Sequence, residues 1–239
     1  MTKLILLLCG GAWLFAASGA AADVETCWIA RERQSRDASA VNDFVRAREL
    51  MRSALGCMND TTPAVERAHV LEQFARMVAE RAEAERYLRE ALALREQALG
   101  KDDPSLGDTL WYLSDTLGVE RDAEALQLLE RALQIRERSL GKSDARTADS
   151  MYRLGMGYIG AGRLAEGEAL CRHAIAILES LPLKPGSPLP GYVFGLGDVL
   201  CRRDRCAEGR VLQDKGAELG GEVDRLEKAA AAPAPVDPH

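Results

Sequence analysis

The chain has 239 residues and a formal net charge of −6. Because phosphate binding requires concentrated positive charge, this balance argues against nucleic acid as a partner. Ala, Leu, Glu and Arg dominate while Val and Ile are sparse, which favours helices over sheets in a chain long enough to bury a substantial core.

Residues 1–22 have the pattern of a secretory signal peptide. Lys3 precedes the apolar run LILLLCGGAWLFAA, and small residues lead to Ala22. The run is shorter than the roughly 20 residues that a membrane span needs. We therefore expect an exported protein, periplasmic or secreted and most simply of a bacterial envelope, with no membrane contact apart from this peptide. Retention of the peptide as an anchor is the alternative.

The chain then repeats itself every 41 or 42 residues. The segment EAERYLREALALREQALGKDDP (83–104) returns as AEALQLLERALQIRERSLGKSD (123–144), and related segments follow at 165–181 and 207–219. Apolar residues in them recur at helical spacing. Their Glu- and Arg-rich positions predict a solvated face crossed by ion pairs.

A second set of helical segments alternates with the first: VERAHVLEQFARMVAE, LGDTLWYLSDTLGVE, TADSMYRLGMGYIGAG and GYVFGLGDVLCRR. In three of them a small residue follows the central leucine, at Ser114, Gly155 and Gly197, which would let two helices approach closely. Glu72 departs from this pattern in the first copy. Each repeat is therefore predicted to be a helix–turn–helix unit that buries its apolar face by stacking on its neighbours.

GRLAEGEALCRHAIAI, with its spaced alanines, resembles a tetratricopeptide repeat, and the junction ALREQALGKDDPSLGDTLWYL resembles the longer repeat of the kinesin-light-chain variety. The resemblance implies an all-α, right-handed superhelical solenoid of antiparallel helix pairs that serves protein–protein interaction. We assign residues 23–60 to a helical cap or atypical first repeat and 61–222 to the array. The Ala- and Pro-rich residues 223–239 are expected to be disordered.

In proteins of this family, the position just after the first core residue of each first helix faces a concave groove where peptides bind. The resemblance therefore implies a binding ladder, meaning a row of mostly aromatic side chains, one from each repeat, along the groove. The alternative is that these side chains serve only to pack the helices. The acidic side chains near it favour a basic, apolar ligand and disfavour a chaperone carboxylate. The candidate groove residues are His69, Trp111, Tyr152 and Phe194, and, one turn further, Asp115, Met156 and Asp198.

Five cysteines follow the signal peptide. In an oxidising compartment cysteines pair by default. The candidate pairs are Cys27 with Cys57 and Cys201 with Cys206, one at each end of the array. Cys171 replaces a core leucine and is expected to be buried, although its pairing with Cys201 or Cys206 is the rival arrangement.

The sequence has no phosphate-binding glycine loop, no G-x-S-x-G and no H-E-x-x-H motif. We therefore expect no catalytic residues, no cofactor and no metal. The predicted function is a non-catalytic interaction scaffold of the cell envelope that binds a peptide or helix of a partner protein in its groove. One alternative is a structural or oligomerising component of an envelope or secretion complex, and a second is a thiol-redox or metal-binding protein. The partner's identity and the oligomeric state stay open.

Overall fold

The computed structural model describes residues 27–59, 61–118 and 121–231. Within them the protein is all-α and has no strand. The predicted signal peptide lies outside the described residues. In chain order the helices are α1 (27–40), α2 (Phe44–Cys57), α3 (Ala64–Ala75), α4 (Arg81–Leu99), α5 (Leu106–Leu117), α6 (Asp122–Leu140), α7 (Ala145–Gly160), α8 (Leu164–Glu179), α9 (Leu189–Cys201) and α10 (Cys206–Ala231).

The helices belong to two compact units, Met1–Leu117 and Gly118–His239. In the first unit each of α2 to α5 packs on the helix before or after it, and in the second unit α6 to α10 do the same. Within each unit short turns join most successive helices, as in antiparallel helix pairs, and the longer segment 180–188 joins α8 to α9. The predicted all-α helical-repeat class is confirmed. None of the described helices is long and apolar enough to cross a membrane.

The helices follow directly from the spacing of their apolar residues. In α5, Leu106, Leu110, Leu113 and Leu117 recur at three- and four-residue intervals and form one buried stripe. Helices α4 and α6 both end at a glycine with positive φ, at 90° for Gly100 and 87° for its repeat equivalent. Such a residue ends a helix because the left-handed conformation costs glycine little.

The small residues after the central leucines allow close helix pairing. A Cβ atom on Gly155 of α7 would lie 2.7 Å from Cys171 Sγ of α8. In the next pair, a Cβ on Gly197 would lie 2.5 Å from the Gly209 carbonyl oxygen. Since real Cβ atoms do not approach so closely, these helices can meet only where the side chain is absent. The predicted close approach at Gly155 and Gly197 is confirmed.

The expectation of a solvated charged face is wrong at two equivalent positions of the second helices. Arg136 of α6 is 1% exposed and is the largest fully buried side chain described. Its guanidinium donates to the Arg146 carbonyl oxygen at 3.0 Å, to Asp149 Oδ2 at 3.1 Å and to Ser150 Oγ at 3.0 Å. This arginine therefore binds α6 to the first two turns of α7.

Arg95 occupies the same repeat position in α4, and it explains the departure at Glu72. The Glu72 carboxylate of α3 is buried and accepts a hydrogen bond from Arg95 Nη2 at 2.9 Å and another from the Thr109 hydroxyl of α5. Glu72 thus stands where other repeats have a small residue because it joins three helices of the first unit.

Helices α1 and α2 form a hairpin at the start of the first unit. The Cys27–Cys57 disulfide joins them, with the two Cα atoms 6.1 Å apart. Trp28 packs in a buried cluster with Met51 of α2 and Phe74 of α3. The described part of the predicted cap is therefore packed into the core of its unit.

Helix α10 extends beyond the expected start of the disordered tail at residue 223. It continues to Ala231, Val223 is buried, and the Glu227 carboxylate accepts the Gly186 N–H at 3.0 Å. Leu219, Val223 and Leu226 lie at helical spacing, and the alanines that follow favour the helix. The assignment of residues 223–231 to a disordered tail is wrong, while residues 232–239 lie outside the described ranges.

Replacing Arg136 with Ala tests the buried guanidinium. We expect Arg136→Ala to lower the free energy of unfolding by about 1–3 kcal/mol, because the Arg146 carbonyl and the Ser150 hydroxyl lose their donor, while Asp149 keeps its bonds with Arg153 and Tyr192. The matched control is Arg138→Ala on the same helix, where the side chain is exposed and the expected change is within about 0.5 kcal/mol. Urea unfolding followed by circular dichroism measures both. Equal losses in the two variants would contradict the account.

Candidate functional site

His69 contacts the N-terminal helix through one carboxylate. Its Nε2 lies 3.1 Å from Glu32 Oε1 of α1, and the side chain is partly buried. Its neighbour Val70 packs in the cluster that contains Trp28. The position predicted to begin a binding ladder is therefore engaged by α1, a helix that the repeat pattern does not reveal.

Tyr152 is a packing residue, in contrast to its predicted place in the groove. It is 7% exposed, and its ring stacks on Tyr192 of α9 with 3.8 Å between centroids and 5° between planes. The Tyr192 hydroxyl donates to Asp149, the partner of Arg136. Burial raises the pKa of both tyrosines above the usual value of 10. A second aromatic two residues before Phe194 was the sequence signal for this stack.

Trp111 borders an open cleft in the first unit, of about 370 Å³. The C-terminal end of α3, the start of α4 and one face of α5 line it. Asp115, also predicted as a groove residue, lies on the same face of α5. We call this site the Trp111 cleft; its lining residues are Ala75, Arg76, Val78, Ala79, Arg81, Ala84, Leu88, Trp111, Tyr112, Asp115 and Thr116.

Two aromatic rings and one cation define the chemistry of the Trp111 cleft. The centroids of Trp111 and Tyr112 lie 4.5 Å apart, with the rings tilted by 46°. The Arg76 guanidinium lies 4.8 Å from the centre of the Tyr112 ring, a cation–π distance. Sequence reasoning missed Tyr112 and Arg76, because Tyr112 is one residue past the expected position and Arg76 follows the end of α3.

The charge around the cleft differs from the expected acidic groove. Arg76 and Arg81 are exposed lining residues with positive charge, against the single carboxylate of Asp115. Asp198, in the other unit, is paired with Arg202 at 2.6 Å. The cleft therefore combines an aromatic surface with a net positive rim.

In the second unit, the exposed aromatic at the predicted position is Phe194, with 48% of its surface accessible. Gly216 of α10 packs on its backbone, where an added Cβ would lie 2.9 Å from the Phe194 nitrogen. Met156 packs partly buried against the core of this unit. Phe194 is thus an isolated exposed ring on α9 rather than the edge of a described cleft.

A second cleft of about 410 Å³ in the first unit lies between α2, α3 and α4. Its two rings are already in use, because Phe74 is buried and packs edge-on against Tyr87 at 5.2 Å. Arg67 in its wall faces Glu90 at 3.8 Å. The Trp111 cleft, with two half-buried rings at its surface, is the better candidate for binding.

The remaining cysteines divide into a buried one and an accessible pair. Cys171 is fully buried, as predicted, and burial raises the pKa of its thiol to about 12. Cys201 and Cys206 are unbonded thiols at the turn between α9 and α10, so their pairing stays a prediction. Within the described ranges, no three His, Cys, Asp or Glu side chains gather as a metal site would require.

The family profile described as tetratricopeptide repeat matches residues 73–138 and 118–180. Residues 73–180 are therefore tetratricopeptide repeats. The lining residues of the Trp111 cleft, from Ala75 to Thr116, all lie within the first matched range. No curated protein sequence matches the chain.

Several solved structures share the fold. One is a Podosopora anserina kinesin light chain made of nearly identical TPR-like repeats. It matches with a TM-score of 0.60 and 17% identity, over 82% of this chain and 96% of that one. BtubC (BKLC) from P. vanneervenii matches with a TM-score of 0.58 and 16% identity, over 91% of this chain and 94% of that one. A Rap protein complexed with Competence and Sporulation Factor matches with a TM-score of 0.68 and 19% identity, over 82% of this chain and 55% of Rap. Repeats of this class build protein-interaction scaffolds.

Alanine substitutions separate the packing aromatic from the exposed one. We expect Tyr152→Ala to lower the free energy of unfolding by about 3–5 kcal/mol, because it removes a buried ring and leaves a cavity beside Tyr192. Tyr152→Phe retains the stacked ring and most of the stability. Phe194→Ala is expected to cost less than about 1 kcal/mol, since the ring is half exposed. Thermal or urea unfolding measures these changes in the free energy of unfolding. A loss below about 1 kcal/mol in Tyr152→Ala would contradict the packing role of this residue.

Proposed function

We propose that the protein is a non-catalytic scaffold that holds a peptide segment or helix of a partner protein in the Trp111 cleft. The observation that carries this proposal is the pair of adjacent, half-buried rings at an open cleft with arginines on its rim. Large rings give contact area at low entropic cost, and binding energy in protein interfaces concentrates at Trp, Tyr and Arg.

The lining favours a ligand that carries a carboxylate beside an apolar or aromatic side chain. The apolar group would lie on Trp111 and Tyr112, and the carboxylate would face Arg76 and Arg81. Arg is suited to this role because its planar guanidinium can donate two parallel hydrogen bonds to a carboxylate. Asp115 at the other side would disfavour a ligand with acidic groups at both ends. This replaces the basic ligand that the sequence favoured.

A peptide ligand agrees with the relatives in fold. The Rap structure is a complex with Competence and Sporulation Factor, although this chain spans about half of Rap's length. That complex is a property of Rap, and here it supports the general use of the fold. The ligand chemistry of this protein rests on its own cleft.

We also propose that the protein acts outside the cytoplasm, in the cell envelope or as a secreted protein. The signal-like residues 1–22 support export. The disulfide between Cys27 and Cys57 agrees with an oxidising compartment, since structural disulfides form and persist there.

Peptide selection with a Trp111 variant tests the cleft. Peptides selected on the immobilised protein from a random displayed library should be enriched in Asp or Glu next to aromatic or aliphatic residues. Trp111→Ala should weaken the selected peptides at least about tenfold in fluorescence anisotropy, the loss of a residue central to an interface. Arg81→Gln should weaken them less and reduce their salt dependence.

The matched control is Val211→Ala, which removes an exposed apolar side chain in the other unit and should leave affinity unchanged. Circular dichroism checks that each variant keeps its helices. Equal affinity for Trp111→Ala and the unchanged protein would reject the Trp111 cleft. Selection of Lys- and Arg-rich peptides would reverse the assigned ligand charge.

Export has a separate test. The protein recovered from its native cells should begin at Asp23 by N-terminal sequencing and should have Cys27 and Cys57 oxidised. Expression without residues 1–22 in a reducing cytoplasm should leave both thiols free and lower stability by about 2–4 kcal/mol, because the disulfide no longer restricts the unfolded chain. A cytoplasmic protein with an intact N-terminus would refute export.

A further inference from the structure

The turn between α9 and α10 carries a cysteine at each end, in the sequence CRRDRC (201–206). A hydrogen bond from the Arg205 N–H to the Leu200 carbonyl oxygen at 3.1 Å closes the turn, and Asp204 has a positive φ of 61°. The α7–α8 turn has the same form, with Ile159 and Leu164 at the positions of the two cysteines. The last repeat thus replaces an apolar pair by two thiols.

The fold brings the two thiols together across this turn. The Cys206 thiol donates to the Cys201 carbonyl oxygen at 3.2 Å, and the Cys201 thiol donates to the Cys206 carbonyl oxygen at 3.8 Å. The pKa of Cys201 is raised, first by its hydrogen bond with the Cys206 thiol. Each thiol therefore contacts the other cysteine across the turn, which places the two sulfurs on the same side of it.

Their surroundings differ in a way that assigns different roles. Cys206 is exposed, whereas Cys201 is half-buried and its Sγ lies 2.7 Å from the place of a Cβ on Gly209. The turn is also held to α8, because Arg205 binds Glu168 at 2.6 Å, and the same guanidinium binds Glu208 in the first turn of α10 at 2.5 Å. An incoming reagent can reach the Cys206 sulfur, whereas Cys201 lies beside it and is less accessible.

We propose that Cys201 and Cys206 form a reversible intramolecular disulfide by thiol–disulfide exchange with a small disulfide of the glutathione class. The Cys206 thiolate attacks one sulfur of the reagent, which forms a mixed disulfide and releases one thiolate. The Cys201 thiolate then attacks the Cys206 sulfur, closes the intramolecular disulfide and releases the second thiolate. The two cysteines lose two electrons and two protons, and the reagent disulfide is reduced to two thiols.

This site is separate from the other cysteines and independent of the proposed peptide binding. Cys27 and Cys57 are already bonded to each other at the start of the first unit. Cys171 is buried in the α7–α8 contact, and its raised pKa keeps it a thiol at neutral pH. Four residues separate the cysteines of CRRDRC, whereas two separate those of a C-x-x-C oxidoreductase motif. We therefore assign the pair no activity on other proteins; the proposal concerns only the oxidation and reduction of Cys201 and Cys206 themselves.

Oxidised glutathione and mass spectrometry test the proposal on the purified full chain, reduced mildly so that the Cys27–Cys57 bond persists. The unchanged protein should lose two free thiols and gain no lasting adduct, with Cys201 and Cys206 joined in the peptide map. Cys201→Ser should retain one glutathione on Cys206, because the second thiol that would expel it is absent. Cys206→Ser should react more slowly at Cys201. Cys171 is the internal control and should stay unmodified until the protein is unfolded.

The same experiment can overturn the proposal in three ways. The unchanged protein could retain both thiols or a lasting glutathione on each cysteine, which would show that the two sulfurs do not meet. Disulfide-linked dimers would place the bond between copies. Equal reaction rates in Cys201→Ser and Cys206→Ser would remove the assigned order of attack.

Discussion

A buried guanidinium in the second helix of a repeat is the interaction on which much of this structure depends. Arg136 loses its water on folding, and that cost is offset only if all its hydrogen bonds are made in the interior. The first helix of the next repeat supplies a backbone carbonyl, a carboxylate and a hydroxyl for this purpose. The position of α7 on α6 is therefore set by directional bonds as well as by apolar contact.

The Asp149 carboxylate, which binds Arg136, also contributes to the burial of Tyr152. Asp149 accepts from Tyr192, whose ring covers Tyr152. In the second unit Tyr152 is consequently used for packing, while Phe194 at the same repeat position stays exposed. In the first unit the corresponding ring, Trp111, lies beside Tyr112 at the surface of a cleft. One repeat pattern thus produces a core residue in one copy and a candidate contact residue in another.

The sequence predicted those features that depend on periodicity. The helix pairs, the close approach at Gly155 and the burial of Cys171 all follow from apolar and small residues that recur at fixed spacing. It failed where a polar partner lies on another helix. Arg95 and Arg136 look like surface charges in their own segments, and only Glu72 and Asp149, distant in the chain, explain their burial.

The candidate site was predicted only in part for the same reason. Trp111 and Asp115, both predicted from the repeat, line the cleft together because they lie one turn apart on one helix. Arg76 belongs to the end of a different helix, and nothing in the local pattern places it over Tyr112. The burial of Tyr152 depends on α9, and the ion-pair distance of His69 depends on a carboxylate of α1. Contacts between elements decide which members of a repeated position reach a ligand.

Site-specific photocrosslinking in the native cells tests the central claim, that the Trp111 cleft holds a partner, most directly. A photoreactive amino acid at the exposed position of Asp115 should give one discrete adduct, and the additional change Trp111→Ala should abolish it. The same amino acid at Val211, exposed on α10, should give none. An adduct that persists without the Trp111 ring, or that forms equally from position 211, would contradict the account.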